Sequence, residues 1–367
     1  MLATQEVRPT NRNGFEIAII CALSTESDAV EAIFDEVYYE KDGPMYGKAP
    51  GDTNSYRLGR IGVHPVVLAY LPGIGKGSSA SVAAHVRGSF PNIRLGLVVG
   101  ICGGVPQPPA LNGVGISLGD IIVSTRVVQV DLEPQLVYGF VEKDTADEAL
   151  GRANAELRAF LHLAQGWAAK SEFRQRVPGY IKDIIAKEGF DHCAFPQFEG
   201  DNSYPADHSQ EREAWPTSAV STTALTPALS QIRRPSGSNH GSTAFIPRIH
   251  FGCIGSGDLV MKSGLHRDQI AAQKGVIGFE MEGVGVWDNF PTIVIKGVCD
   301  YADIRKNDKL HKYASVAAAA CTKALLLEWR AMDRTPSPAA ANTDQQDGKE
   351  GGGRVSTRKL IHYLVHT

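Results

Sequence analysis

Glu280 and Glu282 flank Met281 directly after the apolar run Ile277–Phe279, and Asp300 and Asp303 follow the β-branched run Thr292–Val298. Carboxylates at the ends of two successive strands lie where an open α/β sheet binds ligands, beyond the carboxyl ends of its strands. Glu26 is a further one, in the first turn of a helix expected after the apolar run Phe15–Leu23. The sequence holds no G-x-S-x-G, no H-E-x-x-H and no Cys/His nucleophile pair, and His64, His85, His250 and His266 stand isolated. Paired carboxylates of this kind suit a reaction that passes through a cationic sugar. One acid protonates a leaving group, another carboxylate activates water, and negative charge stabilises an oxocarbenium-like transition state. Neighbouring acids also suit two-point holding of a vicinal diol. Acidic residues equally mark solvated strand-to-helix turns, so this pattern needs support from elsewhere in the chain.

The surrounding elements must hold these groups. Phe15–Leu23 has the length and apolarity of a buried parallel strand. Ser24 or Thr25 is the expected N-cap of a helix running to about Phe34. Ser55–Ile61 and His64–Leu71 flank Gly62 and predict a hairpin, so the sheet is expected to be mixed. The glycine-rich PGIGKGSSA at 72–80 lacks P-loop spacing and is expected to be a tight turn feeding a helix. Leu95–Val99 predicts a central strand running into a glycine turn at 100–104, where a ligand can approach the backbone. Arg248–Ser256 is a further strand, Gly264–Gln273 a helix, and Tyr313–Trp329 an Ala/Leu-rich closing helix. Strands alternating with helices predict one three-layer αβα domain around a mixed central sheet. The expected organisation is a disordered leader at 1–13, a domain at 14–332 with a long polar insertion at about 189–247, and a mostly disordered tail at 333–367.

Composition narrows the partners. The 367 residues carry a net charge of −3, which gives no electrostatic footprint for nucleic acid. No apolar run is long enough to span a membrane, and none forms a signal core, so a cytoplasmic protein is expected. The six cysteines are scattered without a C-x-x-C pair, which suits buried reduced thiols and no structural zinc.

The segments AIICALSTES, PGIGKGSSA, VVGICGGV, GDIIVS, GSGDLVM, GFEMEGVGV and VIKGVCDYAD, in this order, resemble the nucleoside phosphorylase superfamily. The resemblance is to its methylthioadenosine/adenosylhomocysteine nucleosidase-like branch, in a form common in fungi, and covers about 15–130 and 249–329. It implies the nucleoside phosphorylase/hydrolase fold and a purine nucleoside N-ribosyl hydrolase without metal or organic cofactor. It implies that Glu26 activates water, that Asp300 protonates the purine, and that Glu282 grips the ribose 2′ and 3′ hydroxyls with Met281 against the sugar. Cys102, Gly103, Val260, Met261 and Glu280 then fall in the base pocket. Cys299 replaces a serine that orients the acid, and Lys296 stands where an arginine is usual. Phosphorolytic relatives hold phosphate with arginines and a serine, where this chain has Val98 and Ile101, so water is the expected nucleophile. The resemblance also implies a homodimer. The alternative readings are a phosphate-using phosphorylase and a nucleotide-sensing effector module.

Overall fold

Ile17–Cys21 (β1) is buried along its whole length, and its side chains divide between two cores. Ile17, Ile19 and Cys21 enter one, Ala18 and Ile20 the other. A strand apolar on both faces needs cover on both. One face is covered by Ser24–Ala32 (α1), Ala155–Ala164 (α3), Trp167–Ile185 (α4) and His311–Leu326 (α7). The other is covered by Lys76–Ser89 (α2) and the short Gly283–Trp287 (α6). Gly264–Lys274 (α5) packs Ile270 and Ala271 into a smaller cluster with Cys253, Val276 and Phe279. This is the expected αβα layering. The computed structural model describes residues 8–39, 41, 43–131, 135–136, 139–140, 150, 153–196, 245–304 and 308–330.

The other strands are Glu36–Val37 (β2), Tyr56–Ile61 (β3), His64–Tyr70 (β4), Leu95–Gly104 (β5), Ile121–Gln129 (β6), Ile249–Ser256 (β9), Val276–Glu280 (β10) and Thr292–Asp300 (β11). Gln135–Leu136 (β7) and Gly139–Phe140 (β8) form a separate two-stranded pair. The main sheet runs β10-β9-β6-β11-β5-β1-β4-β3-β2. It is mixed: β3 and β4 form the expected antiparallel hairpin, and β11 is antiparallel to β6 but parallel to β5. In addition β10 pairs antiparallel with β5, through Gly278 with Gly104 and Phe279 with Gly103. That contact closes β5, β11, β6, β9 and β10 into a ring and brings the end of β10 over the end of β5.

Two expectations about local structure are corrected. Residues 100–104 are not a turn, because β5 continues to Gly104 under the pairing of β11 and β10. Residues 8–13 of the expected leader are anchored: Pro9 is buried and Tyr46 donates to its carbonyl at 2.9 Å, Arg8 pairs with Glu36, and the Asn11 side chain caps the turn Arg12–Gly14. Most of the insertion expected at 189–247, and the tail at 333–367, lie outside the described residues. Among the described residues no helix is long and apolar enough to cross a membrane.

Candidate functional site

Glu26 sits in the first turn of α1 and is almost fully buried, with 3% exposure. The cap of α1 is neither Ser24 nor Thr25. Leu23 holds the N-cap position, and Glu26 turns back so that its Oε2 accepts from the amides of Ala22 and Leu23, both at 2.9 Å. The carboxylate thus satisfies amides that a helix start would otherwise leave open. Glu26 Oε1 accepts from the Ile101 amide at 2.9 Å, across on β5. A Cβ added at Gly100 would lie 2.1 Å from that same Oε1, so glycine is required here for the carboxylate to cross the strand. Gly100→Ala is expected to displace Glu26 and destabilise the fold by about 1–3 kcal/mol. Thermal melting beside an activity assay checks it, and an unchanged melt with full activity would show that the carboxylate moves freely.

Burial raises Glu26 above its ordinary value, and the nearby Lys296 ammonium opposes that rise. Lys296 is only 1% exposed, in the middle of β11. Its Nζ lies 2.9 Å from Glu282 Oε2 and 3.4 Å from Glu280 Oε2. Burial favours neutral lysine, but the carboxylates of Glu282, Glu280 and Glu26 outweigh it and raise Lys296. The same pairing lowers Glu282 in spite of its burial, whereas burial keeps Glu280 raised. Glu282 Oε1 also takes the Gly75 amide at 3.3 Å, and Gly75 has φ +105 in the glycine-rich loop before α2. That loop is tied down by Lys76, whose Nζ lies 2.6 Å from Asp131 and whose amide donates to Asp258.

Asp300 ends β11 and is 5% exposed. Its Oδ1 accepts from the Ala302 amide at 2.7 Å, and Ala302 holds φ +52 to deliver it. Its Oδ2 lies 3.4 Å from Cys299 Sγ, which lies at the same distance from the Cys102 carbonyl. A Cβ at Gly103 would come within 2.8 Å of Asp300 Oδ1. Glycines of β5 therefore separate Glu26 at Gly100 from Asp300 at Gly103.

Of the expected site residues, Glu26, Cys102, Gly103, Glu280, Glu282, Cys299 and Asp300 converge at this edge of the sheet. Met281 is half-buried between the two glutamates. Glu280 has a different environment from the base-pocket lining expected for it. Its carboxylate accepts from the amides of Glu282 and Gly283, all near 3.0 Å, and braces the turn into α6. Val260 and Met261 lie on the loop after β9, Val260 45% exposed and Met261 against the cluster of Val105, Phe279 and Ala302. Asp303 is buried too. Sequence reasoning passed over the weight of Lys296, although a lysine inside the apolar run TIVIKGV signals a buried charge with partners. It also took the glycine-rich turn as structural and so missed the Gly75 amide.

The phosphorylase superfamily model matches residues 16–174. A nucleotide-binding leucine-rich repeat (NLR)-like protein of Hyaloscypha variabilis is 31% identical over 312 residues, which is 85% of this chain and 29% of that protein. The ATP nucleosidase Cap17 of Escherichia coli is 30% identical over 116 residues, 28% of this chain and 23% of that protein. The chain thus spans less than a third of the length of either relative. Among solved structures, the 5′-methylthioadenosine/S-adenosyl homocysteine nucleosidase of Helicobacter pylori superposes with TM-score 0.51 at 15% identity, covering 86% of this chain and 100% of that one. The futalosine hydrolase of the same organism gives 0.51 at 15%, covering 86% and 99%. At such identity the likeness is one of fold. Residues 16–174 thus match the phosphorylase superfamily model, and the chain shares its fold with these nucleosidases.

Proposed function

We propose that this chain is a purine nucleoside N-ribosyl hydrolase that releases the free base and ribose with water. The observation that carries the reading is the spacing along β5. Glu26 reaches Gly100 and Asp300 reaches Gly103, so two buried carboxylates stand at neighbouring points of one strand, with Glu282 held by Lys296 beside them. Burial raises Glu26, whereas the Lys296 ammonium lowers Glu282.

In the proposed mechanism Glu282 accepts hydrogen bonds from the ribose 2′ and 3′ hydroxyls, since the lysine keeps it ionised. Asp300 donates its proton to the purine ring, which leaves as a neutral base. The sugar becomes cationic as the bond breaks, and the buried negative charge below it lowers the barrier. Glu26 takes the proton of the attacking water. Both lone pairs of Oε2 serve backbone amides, so the remaining one on Oε1 is the acceptor available to water. A carboxylate raised by burial is, when ionised, a stronger base than an ordinary one.

Water is favoured over phosphate because the Ile101 amide is already committed to Glu26, and Val98 and Ile101 offer no side-chain donor. A dianion beside a buried carboxylate would also be costly. The likeness to an ATP nucleosidase supports a second reading, in which the accepted substrate carries 5′ phosphates. The likeness to an NLR-like protein supports a role as the enzymatic unit of a larger assembly. A cytoplasmic homodimer remains part of the proposal, and sedimentation of the purified chain tests the dimer.

One assay separates the readings. The purified chain is incubated with adenosine, inosine, guanosine, methylthioadenosine and ATP, with and without phosphate. Free base with ribose, or with ribose 5-triphosphate from ATP, formed without phosphate is the expected result. Ribose 1-phosphate formed only with phosphate would overturn hydrolysis, and no turnover of any substrate would favour a binding module.

A further inference from the structure

We propose that Cys299, Asp300 and His311 form a site for a soft divalent cation of the zinc class, and that filling it blocks the carboxyl group assigned above as the acid. Among the described residues these three offer a thiol sulfur, a carboxylate oxygen and an imidazole nitrogen that all lie within 4.8 Å of one another. Two ligands on one tetrahedral zinc, at Zn–S and Zn–O lengths of about 2.3 and 2.1 Å, stand roughly 3.6 Å apart. Cys299 Sγ and Asp300 Oδ2 are 3.4 Å apart. They are therefore already spaced as a ligand pair on β11.

His311 is the third donor. It opens α7 with its side chain 30% exposed, so the ring has room to turn towards the other two. Its Nε2 lies 3.5 Å from Asp308 Oδ1, an exposed carboxylate placed to orient the imidazole once the other nitrogen is ligated. Thiolate with imidazole selects zinc, cobalt or copper over magnesium or calcium. Three protein donors leave a fourth position for water. Binding releases the thiol proton of Cys299 to solvent and ties up the Asp300 oxygen that would otherwise carry a proton to the base. The site is hard to see in the sequence because its histidine is separated from the Cys-Asp pair by the loop before α7.

The binding claim stands on the geometry alone. The inhibition claim rests on the reading of Asp300 as the acid, and the experiment keeps the two apart. The 367-residue chain is titrated with Co²⁺ and Zn²⁺ in metal-free buffer. One Co²⁺ per chain is expected, with a thiolate-to-cobalt charge-transfer absorption that Zn²⁺ displaces and that Cys299→Ser abolishes. His311→Ala should weaken Zn²⁺ binding at least about tenfold while keeping metal-free turnover, since a lost partner in a metal site typically costs 10–100-fold. Mg²⁺ should not compete. Turnover should fall in step with Zn²⁺ occupancy and return with a chelator. No stoichiometric site, or Zn²⁺ binding undiminished in His311→Ala, overturns the site. Full turnover of the zinc-loaded protein overturns the link to the acid. If the metal-free protein turns over no nucleoside, that counts against the hydrolase reading, and the cobalt titration still decides the site.

Discussion

Asp300→Asn is expected to lower base release from purine nucleosides by about 10²–10⁴-fold, the range for loss of a positioned general acid, with KM little changed. Asparagine keeps an oxygen to accept from the Ala302 amide at the 2.7 Å that now fixes Oδ1. It keeps the volume as well, so the clearance above Gly103 is not disturbed. What it cannot do is give up a proton to a departing purine, because an amide is not an acid at any working pH. The effect should therefore fall on kcat and leave the fold in place, which a melting curve beside initial rates would show. The loss should be smallest for substrates whose base leaves easily as an anion, since these ask least of an acid. Near wild-type turnover of adenosine in this variant would remove Asp300 from the mechanism. A drop confined to KM would reassign it to binding. Pairing it with Glu26→Gln should cost little more than the worse single change, because residues that act on one transition state are not additive.

Lys296→Met should be the most damaging change to the fold itself. The lysine is the one cation against Glu282 at 2.9 Å and Glu280 at 3.4 Å among the described contacts, and Glu26 also feels its charge. Removing one partner of a buried ion pair costs about 3–5 kcal/mol, because the remaining charge is left buried without a counter-charge. Lys296→Arg keeps the charge and should recover most of that stability. The pH profile gives a separate readout. Glu26 works as a base only when ionised, and burial already raises it above an ordinary glutamate while Lys296 pulls it back. Removing the lysine raises Glu26 further, so the acidic limb of the rate profile should move to higher pH in Lys296→Met and stay near its place in Lys296→Arg. Urea denaturation with rates measured from pH 5 to 9 would test both. A limb that stays put in the methionine variant would show that the two groups are not coupled.

Much of this was readable before the structure. The apolar run at Phe15–Leu23, the Gly62 hairpin and the alternation of strands with helices led directly to a mixed sheet between two helical layers. These features repeat at short range, where periodicity is a sound guide. The errors came where distant strands decide the local conformation. Residues 100–104 read as a glycine turn because glycine is permissive, yet β11 and β10 both pair with that segment and keep it extended. The glycines are there for clearance: Glu26 fills the space at Gly100, and Asp300 and Ala302 fill it at Gly103. Ser24 and Thr25 read as caps because hydroxyls usually are, but the helix starts one residue earlier, with Leu23 at the N-cap and the buried Glu26 carboxylate turned back onto the Ala22 and Leu23 amides.

Residue types alone determined that this chain carries acids at three strand ends and no metalloprotease or serine-nucleophile motif, and that it should pack as an α/β protein. Those properties follow from chemistry and short-range pattern, and no partner across the fold is needed to read them. Only the tertiary structure decided which acids do what. In the fold Glu280 turns inward as a brace, Glu282 sits on the lysine, and Glu26 from α1 and Asp300 from β11 reach β5 at Gly100 and Gly103. Burial and the position of a single ammonium group then divide the carboxylates into raised and lowered ones. Those are long-range effects of where chain segments meet, and spacing along a sequence does not record them.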